Sequence, residues 1–225
     1  MARRTKEDAL VTRNKLLDAA EYLFQSQGVS RTSLQNIAQR AGATRGAVYW
    51  HFTDKADLFN AMIERVTLPL EAAFFDDAAL RPNLSPINVD ALVKIRRATV
   101  EALSRIVNDA QTRRVFEVAT QKVEYVDELR IVRQRHLAIR QSFVSRFEQS
   151  IESAAQQDGL LLPMPAALAA RGFHALIDGL IQNWLLDQKA FDLLDVGQCV
   201  MNIYLKGLGF SVAPEEKTGT DLRPG

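Results

Sequence analysis

Cysteine is nearly absent. Cys199 is the sole thiol in 225 residues, which excludes an internal disulfide and any zinc cluster built from several thiolates. Histidine is almost as scarce. His136 and His174 sit on apolar-periodic faces, and the single carboxylate three or four residues from either is Asp178. One such pair is too few ligands for a metal centre, so neither a metal nor a cofactor is expected. Long hydrophobic runs are missing as well: residues 160–170 form the longest, and Pro163 and Pro165 interrupt it, whereas a membrane span needs about 20 apolar residues. The N-terminal MARRTKED has no apolar core of the kind a secretory signal requires. These gaps predict a cytoplasmic chain with no membrane partner. No nucleophile–base set and no glycine-rich phosphate loop is present, which argues against an enzyme. Strict apolar/polar alternation is also lacking, so strands are not expected. Excess charge of either sign is absent too, with 28 Lys+Arg against 27 Asp+Glu. Taken as an average, that balance argues against a nucleic-acid partner, which demands cations against phosphate.

The distribution of charge says otherwise. Residues 1–66 carry ten basic and seven acidic side chains, and the rest of the chain carries 18 and 20. A basic first third on a slightly acidic body is the asymmetry of a nucleic-acid module joined to a second unit. The division predicted is therefore 1–66, 67–210 and a polar mobile tail at 211–225. Apolar residues recur every three or four positions throughout, giving an all-α chain. A first helix is predicted over 7–27, with Thr5 and Asp8 as a capping pair and Gly28 as its stop. Thr32 and Gln35 form a second capping pair, before the stripe Leu34, Ile37, Ala38 and Ala41. Thr44 caps a third helix running to about His51, burying Val48 and Phe52. Thr53 or Asp54 caps a fourth, which Pro69 is expected to end or kink. A loop is predicted over 76–88. Helices follow at 88–108, a shorter one at 111–122, then a long one at about 129–158, and two more at 165–188 and 192–209.

Residues 32–52, TSLQNIAQRAGATRGAVYWHF, describe two short helices joined by a tight glycine turn, the helix-turn-helix pattern whose second helix enters the DNA major groove. Its recognition part spans 33–52. Thr44, Arg45, Tyr49, Trp50 and His51 lie on the exposed side of the second helix. Arginine pairs bidentately with guanine, and tyrosine reaches a phosphate or a thymine methyl. Gly46 permits close approach to the duplex. Thr32, Ser33, Gln35 and Lys55 stand near helix starts, where hydroxyls, N–H groups and an ammonium hold phosphates.

The run LLDAAEYLFQSQG, the motif above and the DKADLF after it resemble the DNA-binding domain of the TetR/AcrR family of bacterial repressors, most closely the regulators of multidrug efflux pumps. The resemblance implies an all-helical protein of about nine helices. It further implies an N-terminal three-helix DNA-binding domain and a C-terminal ligand-binding and dimerisation domain. The partners implied are double-stranded operator DNA, bound as a homodimer on a palindrome, and a small hydrophobic or amphipathic inducer that releases it. A same-fold regulator of a metabolite such as an acyl thioester would share the whole N-terminal domain, and a purely structural helical dimer is the reading of another class.

Aromatic residues are plentiful in the second part of the chain. Some of them should line a ligand cavity between helices, with Phe116, Phe143, Phe147 and His174 the preferred lining. The last two helices are rich in small residues. Glycine costs about 1 kcal/mol at a helical site, so close packing is the expected compensation. A two-fold pairing through Leu176, Leu180, Trp184, Val200, Met201 and Tyr204 would provide it. Cys199 is expected to be buried and inert.

Overall fold

The computed structural model describes residues 6–75, 91–124 and 130–212. Among them are nine helices and no strand: α1 (Lys6–Gln27), α2 (Leu34–Arg40), α3 (Arg45–His51), α4 (Lys55–Phe75), α5 (Ala91–Asn108), α6 (Ala110–Gln121), α7 (Arg130–Asp158), α8 (Ala166–Leu186) and α9 (Leu193–Gly207). The all-α expectation holds. The proposed cap Thr5, the 76–88 loop and residues beyond 212 lie outside the described residues.

Local chemistry explains most helix ends. The α1 helix closes at Gly28, whose φ of 87° lies in the left-handed region that glycine adopts at no steric cost. Gly42, at φ 64°, makes the turn between α2 and α3. The α2 helix is capped one residue later than the sequence suggests. Ser33 accepts from the Asn36 N–H at 3.1 Å, and the Asn36 side chain accepts the Ser33 N–H in return. Thr44 caps α3 through the Ala47 N–H at 3.2 Å. Asp54 caps α4 through the Asp57 N–H at 2.8 Å, and the Asp57 carboxylate accepts the Thr53 N–H. Pro69 does not end α4, which continues to Phe75. Its ring removes one hydrogen bond to the Arg65 carbonyl, but Pro69 is exposed, so water can solvate that group.

Three apolar clusters hold the molecule together. The first joins Leu16, Ala20 and Phe24 of α1 to Ile37, Val48, Leu58 and Met62, and extends to Val115, Val118 and Val132 of α6 and α7. The expected boundary at residue 66 thus falls within a continuous helix, over a shared core. The second cluster packs α5, α7, α8 and α9 around Phe147, Ile151, Phe173 and Met201. Phe210 and Val212 are buried in it, so the packed body reaches two residues into the expected tail. Leu103, Ile106, Trp184 and Leu193 form the third.

The glycines of α8 and α9 serve two purposes. A Cβ at Gly172 would overlap the Tyr204 hydroxyl, and one at Gly197 would overlap Leu103 Cδ1, so both allow helices of one protomer to approach closely. Gly179 and Gly207 face open space. Gly172→Ala should displace the Tyr204 ring and break its 2.8 Å hydrogen bond to the Ala169 carbonyl. The expected loss is about 1–3 kcal/mol in urea unfolding; an unchanged midpoint would show that α9 shifts freely.

This packing corrects two interface assignments. Trp184 (5% exposed) and Met201 (0%) lie inside the protomer and cannot meet a second copy. Leu180 packs against the third cluster and Tyr204 against the second, while Leu176 and Val200 are half-buried at the margin. The outward apolar stripe instead carries Leu168, Ala175, Gly179 and Leu186 of α8 with Cys199, Ile203 and Gly207 of α9. Cys199 is exposed, contrary to the expectation of burial.

Candidate nucleic-acid interface and effector cavity

One concave surface gathers the residues proposed to meet DNA. Ser33, the cap of α2, Gln35 of α2, Arg45 and Tyr49 of α3, and Lys55 of α4 border it, together with Ser30 and Arg31 from the turn after α1. Helical patterning misses Arg31 because it precedes the apolar stripe, although an exposed arginine beside a cap is itself the signal. The Arg45 guanidinium donates to the Tyr49 hydroxyl at 3.3 Å, one helical turn away. Thr44, the cap of α3, is exposed, as are Gly46 and Trp50 on the helix, Trp50 by 72%, while His51 is half-buried with its ring edge-on to that indole. The exposed face expected for Trp50 is the one it occupies.

Two expected phosphate contacts change character. Thr32 is buried, and its hydroxyl donates to the Gly28 carbonyl at 2.7 Å, so it locks the turn after α1 rather than facing a duplex. The Lys55 ammonium donates to the Val29 and Ser30 carbonyls at 3.0 and 3.2 Å. Two of its three protons therefore hold the loop between α1 and α2, and one is left for an anion.

A cavity of about 230 Å³ lies among α4, α6, α7 and α8. Phe59 and Ile63 of α4, Phe116 of α6, and Ile139 and Phe143 of α7 give it an apolar body. His136 and Arg140 of α7 with His174 and Asp178 of α8 give it a polar side. Burial holds both imidazoles below the usual histidine range; nearby Asp178 opposes that shift and Arg140 reinforces it. Both shifts favour the neutral imidazole. The structure brings together Phe116, Phe143 and His174 of the expected lining. Phe147 does not join them: it is buried in the second cluster, edge-on to Phe173 with centroids 4.8 Å apart. Its position in the same periodic stripe hides this, because α7 rotates past the cavity as it lengthens. Among the described residues, no group of three potential metal ligands occurs, and no helix is long and apolar enough to cross a membrane.

The cavity wall is also the clamp on α1. On α6, Val115, Phe116, Ala119 and Thr120 face the cavity. Gln111 and Arg114, on the other side, reach the carboxylate of Glu21 in α1, where Arg65 of α4 also binds it. Glu21 is fully buried, and burial raises its pKa against the opposing pull of Arg65 and Gln111. Gln25 donates to Glu117 at 2.8 Å, and the Val29 N–H to the Lys122 carbonyl at 3.1 Å. Arg65 further pairs with Asp18 at 2.8 Å.

A basic helix-turn-helix and a separate cavity that share α4 define a DNA-binding sensor, and family comparison gives its lineage. The family described as "Bacterial regulatory proteins, tetR family" matches residues 16–62, and the "MAATS-type transcriptional repressor, C-terminal region" matches residues 90–210, more than half of the chain. The chain belongs to the TetR family of transcriptional regulators. It is similar to the HTH-type transcriptional regulator TtgR of Pseudomonas putida, at 36% identity over 194 residues, covering 86% of this chain and 90% of the relative. Among solved structures it is similar to NalD, the secondary repressor of the MexAB-OprM multidrug efflux pump in Pseudomonas aeruginosa. That match has a TM-score of 0.77 and 37% identity, and covers 90% and 98% of the two chains. A SmeT–triclosan complex matches with a TM-score of 0.73 at 28% identity, over 87% of this chain and 90% of that one. Like these TetR-family relatives, the chain is a DNA-binding repressor and not an enzyme.

Proposed function

We propose that this repressor acts in the cytoplasm as a homodimer on a palindromic operator controlling a multidrug efflux operon, and that a small hydrophobic or amphipathic inducer releases it. The observation that carries this reading is the path of α4. One helix begins at Lys55, beside the DNA-facing groove, and then lines the cavity with Phe59, Asn60, Ile63 and Thr67. At about 230 Å³ the cavity is smaller than the roughly 300–1,000 Å³ of drug-sized sites, so a larger ligand must part α4 from α6 and α7. Because α6 is clamped to α1 through Glu21, that parting reorients the helix-turn-helix. Two recognition helices matched to half-sites then lose their spacing. Inducer and operator oppose each other by one coupling energy, of order 1–3 kcal/mol. The efflux assignment rests on the similarity to NalD, a repressor of a multidrug efflux pump. Residues 1–66 would be the DNA-binding unit and 67–210 the sensing and dimerising one.

Operator affinity tests the DNA face. With a duplex selected from a random library, Arg45→Ala should lose roughly 1–3 kcal/mol and relax preference at one base pair. Binding equal to wild type would remove Arg45 from base recognition. Lys55→Ala should weaken all sequences alike and lower the salt slope by about one. Since its ammonium also holds the Val29 and Ser30 carbonyls, the melting temperature should fall as well.

A further inference from the structure

Among the described residues, three buried polar atoms that border the cavity have no hydrogen-bond partner: Asn60 Oδ1 and Thr67 Oγ1 of α4, and Arg135 Nε of α7. Native interiors satisfy nearly all such groups, and each exception calls for a cause. A helical threonine ordinarily bonds the carbonyl one turn back, as Thr99 does to Ile95 at 2.8 Å and Thr120 to Phe116 at 2.8 Å. Thr67 makes no such bond, although it is only 7% exposed. Asn60 and Thr67 are seven residues apart, two helical turns, so they share one face of α4 about 10 Å apart along its axis. Arg135 stands between them in register, because its guanidinium pairs with Glu64 at 2.7 Å. Phe59, Phe116 and Phe143 supply aromatic walls.

We infer that Asn60 and Thr67 are the specificity-determining residues of the cavity, and that its ligand is an elongated, uncharged aromatic molecule with a hydroxyl-type hydrogen-bonding group at each end. The inference rests on reading the cavity as the effector site. Charge on the walls agrees with a neutral ligand. Arg135 is paired with Glu64, Arg140 and Asp178 stand on the same polar side with opposite charges, and burial favours the neutral form of both imidazoles. No surplus charge of either sign remains to select an ion. Asn60 Oδ1 accepts a hydroxyl proton at one end, Thr67 Oγ1 donates or accepts at the other, and the Arg135 Nε–H is a donor between. Because both end groups belong to α4, the helix running back to Lys55 beside the DNA-facing groove, the ligand's end groups act directly on the element that joins the cavity to that groove.

The test uses the full-length protein and a matched series: 4,4′-dihydroxybiphenyl, 4-hydroxy-4′-methylbiphenyl, 4,4′-dimethylbiphenyl and the dicationic 4,4′-bis(aminomethyl)biphenyl, titrated calorimetrically and in competition with operator DNA. Each hydroxyl should strengthen binding about three- to tenfold, the worth of one net hydrogen bond. Asn60→Leu and Thr67→Val should each erase one of these steps, and the double variant both, while dimethylbiphenyl should bind at least as tightly as to wild type because no unpaired polar group is then buried against it. Thr67→Val should leave the melting temperature unchanged or raise it, because an unpartnered buried hydroxyl is removed at nearly constant volume. Hydroxyl steps that survive both substitutions would overturn the inference, as would tighter binding of the dication. A fall in melting temperature with the steps intact would assign Thr67 a packing role instead. Ala119→Trp, which fills the cavity, separates the two levels of the argument. If it blocks dimethylbiphenyl while the diol is no tighter in wild type, the cavity stands as the effector site and this inference falls. If binding of every probe is indifferent to it, both fall.

Discussion

Arg65→Ala should destabilise the protein by about 3 kcal/mol at pH 7.5, the lower end of the cost of removing one partner from a buried ion pair. The Glu21 carboxylate is fully buried and Arg65 is its closest cation. Gln111 at 3.2 Å and Arg114 at 3.6 Å remain after the change, which is why the upper end is not expected. The loss should depend on pH with a defined sign. Burial already lifts Glu21 above its ordinary 4.5, so the folded state takes up this proton more readily than the unfolded chain. Stability attributable to Glu21 therefore falls as pH rises from about 4.5 through its raised value. Without Arg65, which pulls the other way, the pKa climbs further and that window widens upward. Urea unfolding at fixed protein concentration should show the gap to wild type narrowing between pH 7.5 and 5.5, as protonation neutralises the orphaned carboxylate. Glu21→Gln in the Arg65→Ala background should remove the pH dependence and recover part of the loss. A gap that stays constant with pH would mean the cost lies in packing around the Arg65 stem.

The second large effect concerns the outward stripe of α8 and α9. Gly179→Glu combined with Ile203→Glu should yield monomers in sedimentation and weaken operator binding by about a hundredfold or more. A lone recognition helix forfeits the high effective concentration that a linked second half-site provides. Neither position disturbs the protomer: Gly179 faces open space and Ile203 is 64% exposed. Helix content and single-chain stability should hold. Charged substitutions at Trp184 or Met201, by contrast, should unfold the second and third clusters and report nothing about association. A dimer that survives the double substitution would move the proposed interface elsewhere.

The contrast between these helices and the N-terminal ones shows what a sequence can convey. Between Ser33 and Phe52 every signal is local. A cap, a three-four stripe and a glycine turn fall within 20 residues, so helix ends, buried face and exposed face can all be read. The α8 helix offers no such contrast, because apolar or small residues surround it on nearly every side. Periodicity then specifies a helix but not its orientation, and Trp184 reads as outward although it points in. The cavity is half legible for a related reason. Phe116, Phe143 and His174 face it as expected, but Phe147 does not, and the α4 wall gives no sign of itself, since four helices distant in sequence must pack before the space exists. Thr32 fails at the finest scale. A hydroxyl at a helix start reads the same whether it faces a phosphate or, as here, the carbonyl of Gly28.

The two faces of α6 have a further consequence for how such a sensor can change over generations or in the laboratory. Residues 115, 116, 119 and 120 meet the cavity, while 111, 114, 117 and 122 meet α1 and the turn after it. Taste and wiring are written on opposite sides of one short rod. Substitutions at 116, 119 and 120 change the cavity while leaving the polar contacts from 111, 114 and 117 to α1 in place; Val115 is the exception, because it also packs in the cluster it shares with Leu16, Ala20 and Phe24 of α1. That makes this helix the natural place to diversify in a library of biosensors.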